Sequence, residues 1–307
     1  MAYPEFYKPE NVGQIYVPDT AAAVLAGRAA NLNPASKAQV KTILVLVDVQ
    51  VDFVHETGAL VVPGAVEDTR RTIEWIFNNV NRITTIAASL DSHVPIQIFF
   101  PTWWADENNE HPAPYTVIRS EEVQAGKWRP LYDEDWSMEY VELLEKGSRK
   151  ELMIWPYHCL EGTPGHSLMP ALYEAIAYHS AARRTQPIFL SKGSIPQTEY
   201  YSMLEPEVKV PEHPLGTLNT DFLNTVASYD KIYVAGQAKS HCVLETVSSM
   251  MRYFDDQPKV INKMRVLKDC MSSVRHPTID FDTMANKALK AFEQRGLQIA
   301  DSSMPLR

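Results

Sequence analysis

The sequence predicts an α/β fold, a three-layer α/β/α sandwich around a mostly parallel sheet of about six strands. Three observations carry this. Thr42-Ile-Leu-Val-Leu-Val-Asp48 is an unbroken β-branched and apolar run, as expected of a strand buried on both faces. Strand and helix patterns alternate about six times, which favours crossovers onto a parallel sheet. Asp48, Asp91, His93, Lys192 and Cys242 each fall at the carboxyl end of a predicted strand, where open α/β sheets place their chemistry.

Taken in order, residues 1–40 carry Pro4, Pro9, Pro18 and Pro34 around an Ala-rich helical stretch, Thr20 to Asn31. They read as an arm outside the core, and residues 41–307 as one domain. After the first strand comes a turn-rich segment, Gly58 to Gly64. A helix is predicted over Ala65 to Asn81, with Ile73, Ile76, Phe77 and Val80 on one face. Ile83 to Leu90 is the second strand, ending at Asp91-Ser92-His93. Residues 94–154 form a long insert. Within it Ile96 to Phe100 suggests a strand extension, Trp103 to Pro114 a loop, and Met138 to Lys146 a short helix. A long irregular segment in a compact domain is usually functional or an interface. A turn-rich run, Trp155 to Gly165, precedes a helix ending near Ala182. Strands follow at Gln186 to Leu190, Lys231 to Gly236, Arg265 to Lys268 and Gly296 to Ala300, with helices at Leu218 to Tyr229, after Gly236, and at Thr278 to Arg295.

Composition excludes several classes. The formal net charge of -9 over 307 residues argues against a nucleic-acid surface. Three cysteines, Cys159, Cys242 and Cys270, are too few and odd in number for a disulfide framework, which favours a reducing, cytoplasmic compartment. No apolar run approaches the ~20 residues of a membrane span, and the amino-terminal residues lack the pattern of a secretory signal. No membrane association is expected.

Val234-Ala-Gly-Gln-Ala-Lys-Ser-His-Cys242 reads as strand, tight turn and helix start, with the thiol in the first helical turn. The helix dipole and free N–H groups there favour thiolate and could hold an oxyanion. Alone, Cys242 is equally a small buried apolar residue, as most free cysteines are. With Asp48 as general base and Lys192 as a cation between them, the three form a coherent nucleophilic set. Singly, Asp48 is a turn residue and Lys192 a solvated lysine. Asp91 and His93, two apart, with His158 from the Trp155-Pro-Tyr-His turn, make two imidazoles and a carboxylate suited to Zn²⁺, Mn²⁺ or Fe²⁺. His111 is a further possible ligand, more readily read as an exposed loop residue. His55, His166, His179, His213 and His276 have no such neighbours.

Several segments together resemble the cysteine hydrolases of the isochorismatase-like superfamily, and within it the nicotinamidases. They are Leu46-Val-Asp48-Val-Gln-Val-Asp-Phe53, Gly58 to Ala65, Asp91-Ser-His93, Trp155 to Gly165, Lys192-Gly193, Tyr201-Ser202 and His241-Cys242-Val243. The resemblance spans about residues 42–300. It implies a triad of Asp48, Lys192 and Cys242, and a divalent metal on Asp91, His93 and His158, with zinc first and manganese, iron or magnesium behind it. It implies an oxyanion hole from the backbone N–H groups of Ala238 and Cys242, with a cis peptide near Gln237-Ala238. Phe53, Trp155 and Tyr201 would line the substrate pocket. The implied reaction converts nicotinamide to nicotinate and ammonia through a thioester, and the implied assembly is a homo-oligomer.

Three departures from the nicotinamidase pattern stand out. Lys239-Ser240-His241 replaces a Thr-Asp pair shortly before the cysteine. Gln97 stands where a further histidine is usual. The segment between His93 and His158 is much longer than usual. Three functions are therefore compatible: a metal-assisted nicotinamidase, a related amidase or carbamoyl hydrolase acting on another small amide, and a non-catalytic binding protein on the same fold. A metal hydrolase that leaves Cys242 idle is a fourth, weaker reading.

Overall fold

The structure, a computed structural model, describes residues 3–148, 150–304 and 306. Its centre is a six-stranded sheet: β1 (Thr42–Val47), β2 (Thr85–Asp91), β3 (Ile188–Lys192), β4 (Lys231–Gly236), β5 (Met264–Leu267) and β6 (Gln298–Ala300), in the order β6-β5-β4-β1-β2-β3. Every pairing is parallel. β1 lies in the middle and is buried throughout. Its side chains alternate: Leu44 and Leu46 enter one core, Ile43, Val45 and Val47 the other.

The described residues include seven longer helices: α1 (Thr20–Ala29), α2 (Ala65–Asn79), α3 (Glu134–Leu143), α4 (Pro170–Arg183), α5 (Thr220–Ala227), α6 (Leu244–Tyr253) and α7 (Phe281–Gln294). α2 and α4 contribute Ile73, Ile76, Leu172 and Ile176 to the first core, whereas α5, α6 and α7 contribute Leu223, Val247 and Leu289 to the second. The expected three-layer α/β/α architecture is therefore present, with all six sheet strands parallel.

Boundaries shift for local reasons. α5 starts at Thr220 because the Asn219 side chain accepts the Phe222 N–H, and α7 starts at Phe281 because Asp280 accepts that of Thr283. Pro187, which has no N–H to give a ladder, precedes β3, so that strand begins at Ile188 and runs to Lys192. Ile96 to Phe100 is not a strand. Its residues Ile98, Phe99 and Phe100 are fully buried, which imitates a strand in sequence, but Ile98 N–H donates to Pro196 and Phe100 N–H to Gln97 across turns. The insert helix lies at Glu134–Leu143, earlier than expected, and continues into a wider turn, Leu144–Ser148. Two short antiparallel pairs, Trp104–Ala105 with Arg129–Pro130 and Val117–Ile118 with Leu152–Met153, tie the insert together.

The arm does not stand outside the core. Tyr7, Val12 and Ala23 are buried in the first core cluster. The Phe6 and Tyr7 rings pack on Phe77 of α2 at 6.0 and 5.1 Å, and Phe6 meets Tyr178 of α4 at 5.9 Å. Tyr16 O–H donates to Glu174 at 2.8 Å, and the Asp19 N–H donates to the same carboxylate at 2.7 Å. Aromatic residues spaced among prolines concealed this packing from a periodicity reading.

Candidate active site

Parallel register brings four strand ends together. Asp48 follows β1, Asp91 ends β2, Lys192 ends β3 directly opposite Asp91, and Cys242 lies on a wide helical turn, Lys239–Val243, after β4. Gly236 closes β4 with φ +125, and a Cβ there would lie 2.1 Å from the Val47 carbonyl, so only glycine lets this turn cross the end of β1.

Lys192 is the hub. It is fully buried, and its Nζ lies 3.0 Å from Asp48 Oδ2, 2.8 Å from Asp91 Oδ1, 2.8 Å from the Tyr200 carbonyl and 3.7 Å from Cys242 Sγ. Asp48 has its second oxygen held by Ser89 Oγ–H at 2.6 Å, while its own N–H donates to that hydroxyl at 3.1 Å. Ligand atoms of Asp48, Asp91 and Cys242 all fall within 4.8 Å of one another. The three residues expected to form a triad are thus gathered, buried, at one point.

Electrostatics differ from the expectation at the thiol. Burial pushes the Cys242 thiol well above its ordinary value, and Lys192 offsets this only in part. Burial likewise raises the Asp48 carboxyl against the pull of Lys192, whereas Asp48 and Asp91 hold the Lys192 ammonium well up despite its burial. Burial therefore works against a free thiolate at this position.

The second cluster is Asp91, His93 and His158, whose ligand atoms also lie within 4.8 Å of one another. His93 Nδ1–H donates to the Gly193 carbonyl at 3.0 Å, and His158 Nδ1–H donates to the Pro156 carbonyl at 2.8 Å. Those bonds fix both tautomers and turn the Nε2 lone pairs inward. His93 Nε2 is buried with no hydrogen-bond partner among the described residues, yet sits 3.0 Å from Asp91 Oδ2, and His158 Nε2 is 3.8 Å from the same oxygen. Lone pairs converging on a carboxylate oxygen need a cation between them, so this donor set fits a divalent metal. His111 is exposed, bonds the Trp104 carbonyl through Nδ1 and is not part of the cluster.

Sequence reading missed the supports. Gln50 accepts the Asp91 N–H at 2.7 Å and donates to the Asp91 carbonyl at 2.8 Å, locking that residue's backbone. Gln97 donates to the Gly193 and Ile195 carbonyls at 2.7 and 3.1 Å, steadying the loop behind Lys192. Asp52 accepts the Cys159 N–H at 2.6 Å and so holds the turn that carries His158. Only their place beside the motif residues could have signalled them.

The peptide between Gln237 and Ala238 is cis, as the resemblance implied. The Ala238 N–H has no acceptor among the described residues. Phe53 packs against His158 at 5.6 Å, and Trp155 Nε1–H donates to Tyr201 Oη at 3.1 Å. The departing residues all tie to the carboxyl-terminal segment: Lys239 pairs with Asp282 at 2.7 Å, Ser240 accepts the Val274 N–H at 3.1 Å, and the His241 ring meets Phe281 at 4.8 Å and Trp155 at 5.4 Å. Tyr115 of the insert reaches Trp155 at 6.0 Å.

The fold is one shared with nicotinamidases, and the chain is similar to them in sequence along most of its length. No family model matches the chain. A nicotinamidase of Saccharomyces cerevisiae is 23% identical over 240 residues, covering 72% of this chain and 93% of that protein. Among solved structures, the yeast nicotinamidase superposes with a TM-score of 0.57 at 20% identity, covering 85% of this chain and 100% of that one. A nicotinamidase and pyrazinamidase from Acinetobacter baumannii gives 0.56 at 19% identity, covering 87% and 98%.

Proposed function

We propose that the protein is a metal-assisted cysteine amidohydrolase whose substrate is nicotinamide. Its likeness to nicotinamidases supports hydrolysis of an amide C–N bond; the substrate and the residue roles are our reading. The observation that carries it is the contact of one buried ammonium, Lys192, with Asp48, Asp91 and Cys242 together. The curated yeast relative supports the choice of amide.

In this reading Asp48 takes the thiol proton as Cys242 sulfur attacks the amide carbon. The C–S bond forms and the carbonyl oxygen becomes an oxyanion, for which the N–H groups of Ala238 and Cys242 are the donors. Asp48 passes the proton to nitrogen, the C–N bond breaks and ammonia leaves. Water then adds to the thioester, losing a proton to Asp48. The acid departs as the C–S bond breaks, and Asp48 returns the proton to sulfur. Lys192 holds Asp48 in register and favours its ionised form each time the proton leaves it. Phe53, Trp155 and Tyr201 hold the flat ring. A divalent ion held by Asp91, His93 and His158, with zinc first, would supply a Lewis-acid anchor for a ring nitrogen or water.

A second reading, an amidase for a different small amide, draws on the reach of Tyr115 and of the Lys239–His241 run around Trp155. Among the described residues no helix is long and apolar enough to cross a membrane. A cytoplasmic location and a homo-oligomer belong to the same proposal. The test is ammonia release from nicotinamide by the native, metal-loaded protein and by Cys242→Ala. Release that vanishes in the variant supports both substrate and nucleophile. Full release by the variant would rule out the thioester route, and none by the native protein would exclude nicotinamide.

A further inference from the structure

The insert delivers one charge to the back of the pocket wall. Lys150, just after the wide turn that ends α3, pairs with Glu207 at 2.7 Å and Glu245 at 2.8 Å. Glu207 belongs to the segment after β3, and Glu245 stands three residues beyond Cys242, at the start of α6. The same ammonium lies over the Tyr201 ring, 5.2 Å from its centroid. Tyr201 in turn accepts the Trp155 Nε1–H. One cation therefore joins the insert, the helix after Cys242 and, through Tyr201, two of the three aromatic rings read as substrate walls.

The neighbourhood explains why a cation belongs there. Glu207 is nearly buried, with 6% of its side chain exposed, and two carboxylates facing each other in such a place repel unless a positive group bridges them. Burial disfavours the Lys150 ammonium, but Glu207 and Glu245 outweigh that and keep it charged. A half-buried cation over a phenol ring is attracted by the ring's quadrupole, so the ring is held in return. The insert grips the same segment twice more. Trp136 Nε1–H donates to the Gln197 carbonyl at 2.8 Å, and the Glu199 N–H donates to Tyr140 Oη at 3.0 Å. The Tyr200 carbonyl that receives Lys192 follows directly after these anchors.

We propose that Lys150 is a positioning residue for substrate binding: it fixes Tyr201, and through it Trp155, in the geometry that grips the ring of the amide. This rests on the amidohydrolase reading of the same site. Lys150 touches neither Cys242 nor Asp48, so its effect falls on binding rather than on the chemical step.

The test uses the full-length, metal-loaded protein with nicotinamide as substrate and nicotinate as a non-reacting probe. Nicotinate binding is read as protection of Cys242 from iodoacetamide. Lys150→Met is expected to raise KM about fivefold or more while kcat stays within about twofold. Cys242 alkylation without ligand should keep its native rate. Lys150→Arg, which can bridge both carboxylates and stack on the ring, should restore KM. Because Lys150→Met leaves the buried Glu207 and the half-buried Glu245 carboxylates without their cation, Lys150→Met/Glu207→Gln/Glu245→Gln is made alongside it. Its KM should stay raised although the repulsion is gone. A native KM in either Met variant, or loss of kcat together with slowed alkylation, would overturn the role. If the native protein leaves nicotinamide intact but nicotinate still protects Cys242, only the substrate reading falls, and the protection constants of the variants decide the role of Lys150. If nicotinate gives no protection in the native protein, both fall.

Discussion

Lys192 and Asp91 face each other in the parallel register of β3 and β2, and their side chains meet as well, Nζ to Oδ1 at 2.8 Å. The ammonium that pairs with Asp48 is thus also bonded to the carboxylate that Asp91 shares with His93 and His158. The two clusters form one electrostatic unit, and disturbing one is felt by the other.

Lys192→Met should therefore do two kinds of damage. Asp48 and Asp91, both buried, would face each other without a cation, which costs about 3–5 kcal/mol when one partner of a buried pair is lost. Urea denaturation at neutral pH should show a loss of that size. Amide hydrolysis should fall below detection in whatever fraction remains folded.

Stripping divalent ions with a chelator should lower both thermal stability and activity, because His93 Nε2 and His158 Nε2 would again face Asp91 without a cation between them. Readdition of zinc, manganese or iron should restore both, and elemental analysis identifies the ion. His93→Ala should reduce bound metal by about tenfold or more in affinity. A variant with unchanged metal content would place the ion elsewhere.

Gly193→Ala is expected to damage the same cluster from behind. Gly193 has φ +82, and an added Cβ would lie 2.5 Å from Asp91 Oδ1 and 2.9 Å from His93 Cε1. Both strain and collision act on the proposed metal ligands, so metal affinity should fall along with roughly 1–3 kcal/mol of stability. Metal titration followed by calorimetry separates the two.

Acid stability should depend on His179, far along α4 from the site. Burial lowers its imidazole from 6.5 to about 4, and its Nε2–H donates to the Ile83 carbonyl. Below about pH 6.5 the unfolded chain takes up a proton that the folded chain refuses until about pH 4. This contribution is therefore whole above pH 6.5 and is lost as pH falls toward 4, by roughly 3 kcal/mol across the window. His179→Gln should flatten that part of the pH–stability curve measured by urea unfolding.

Much of the candidate site could be read from sequence because its residues end strands or lie on the turns just after them. A buried apolar run fixes where β1 stops, and Asp48 follows at once; Lys192 and Cys242 obey the same logic. What could not be read depends on partners distant in sequence. Nothing in the spacing of Gln97 or Lys150 announces that one holds the loop behind Lys192 and the other lies over Tyr201. The thiol was expected to ionise easily, but its burial, invisible in sequence, outweighs the nearby cation. Ile96 to Phe100 misled for a related reason: complete burial looks alike in a strand and in a turn packed beneath an insert.

The packing of the arm bears on how this chain is handled. Phe6 and Tyr7 roof over Phe77, and Phe6 also meets Tyr178, on the outer side of α2 and α4. A chain shortened to begin at residue 41 would leave that roofed surface bare to water. Such a protein would stick to its own copies rather than behave as a trimmed version of the same enzyme.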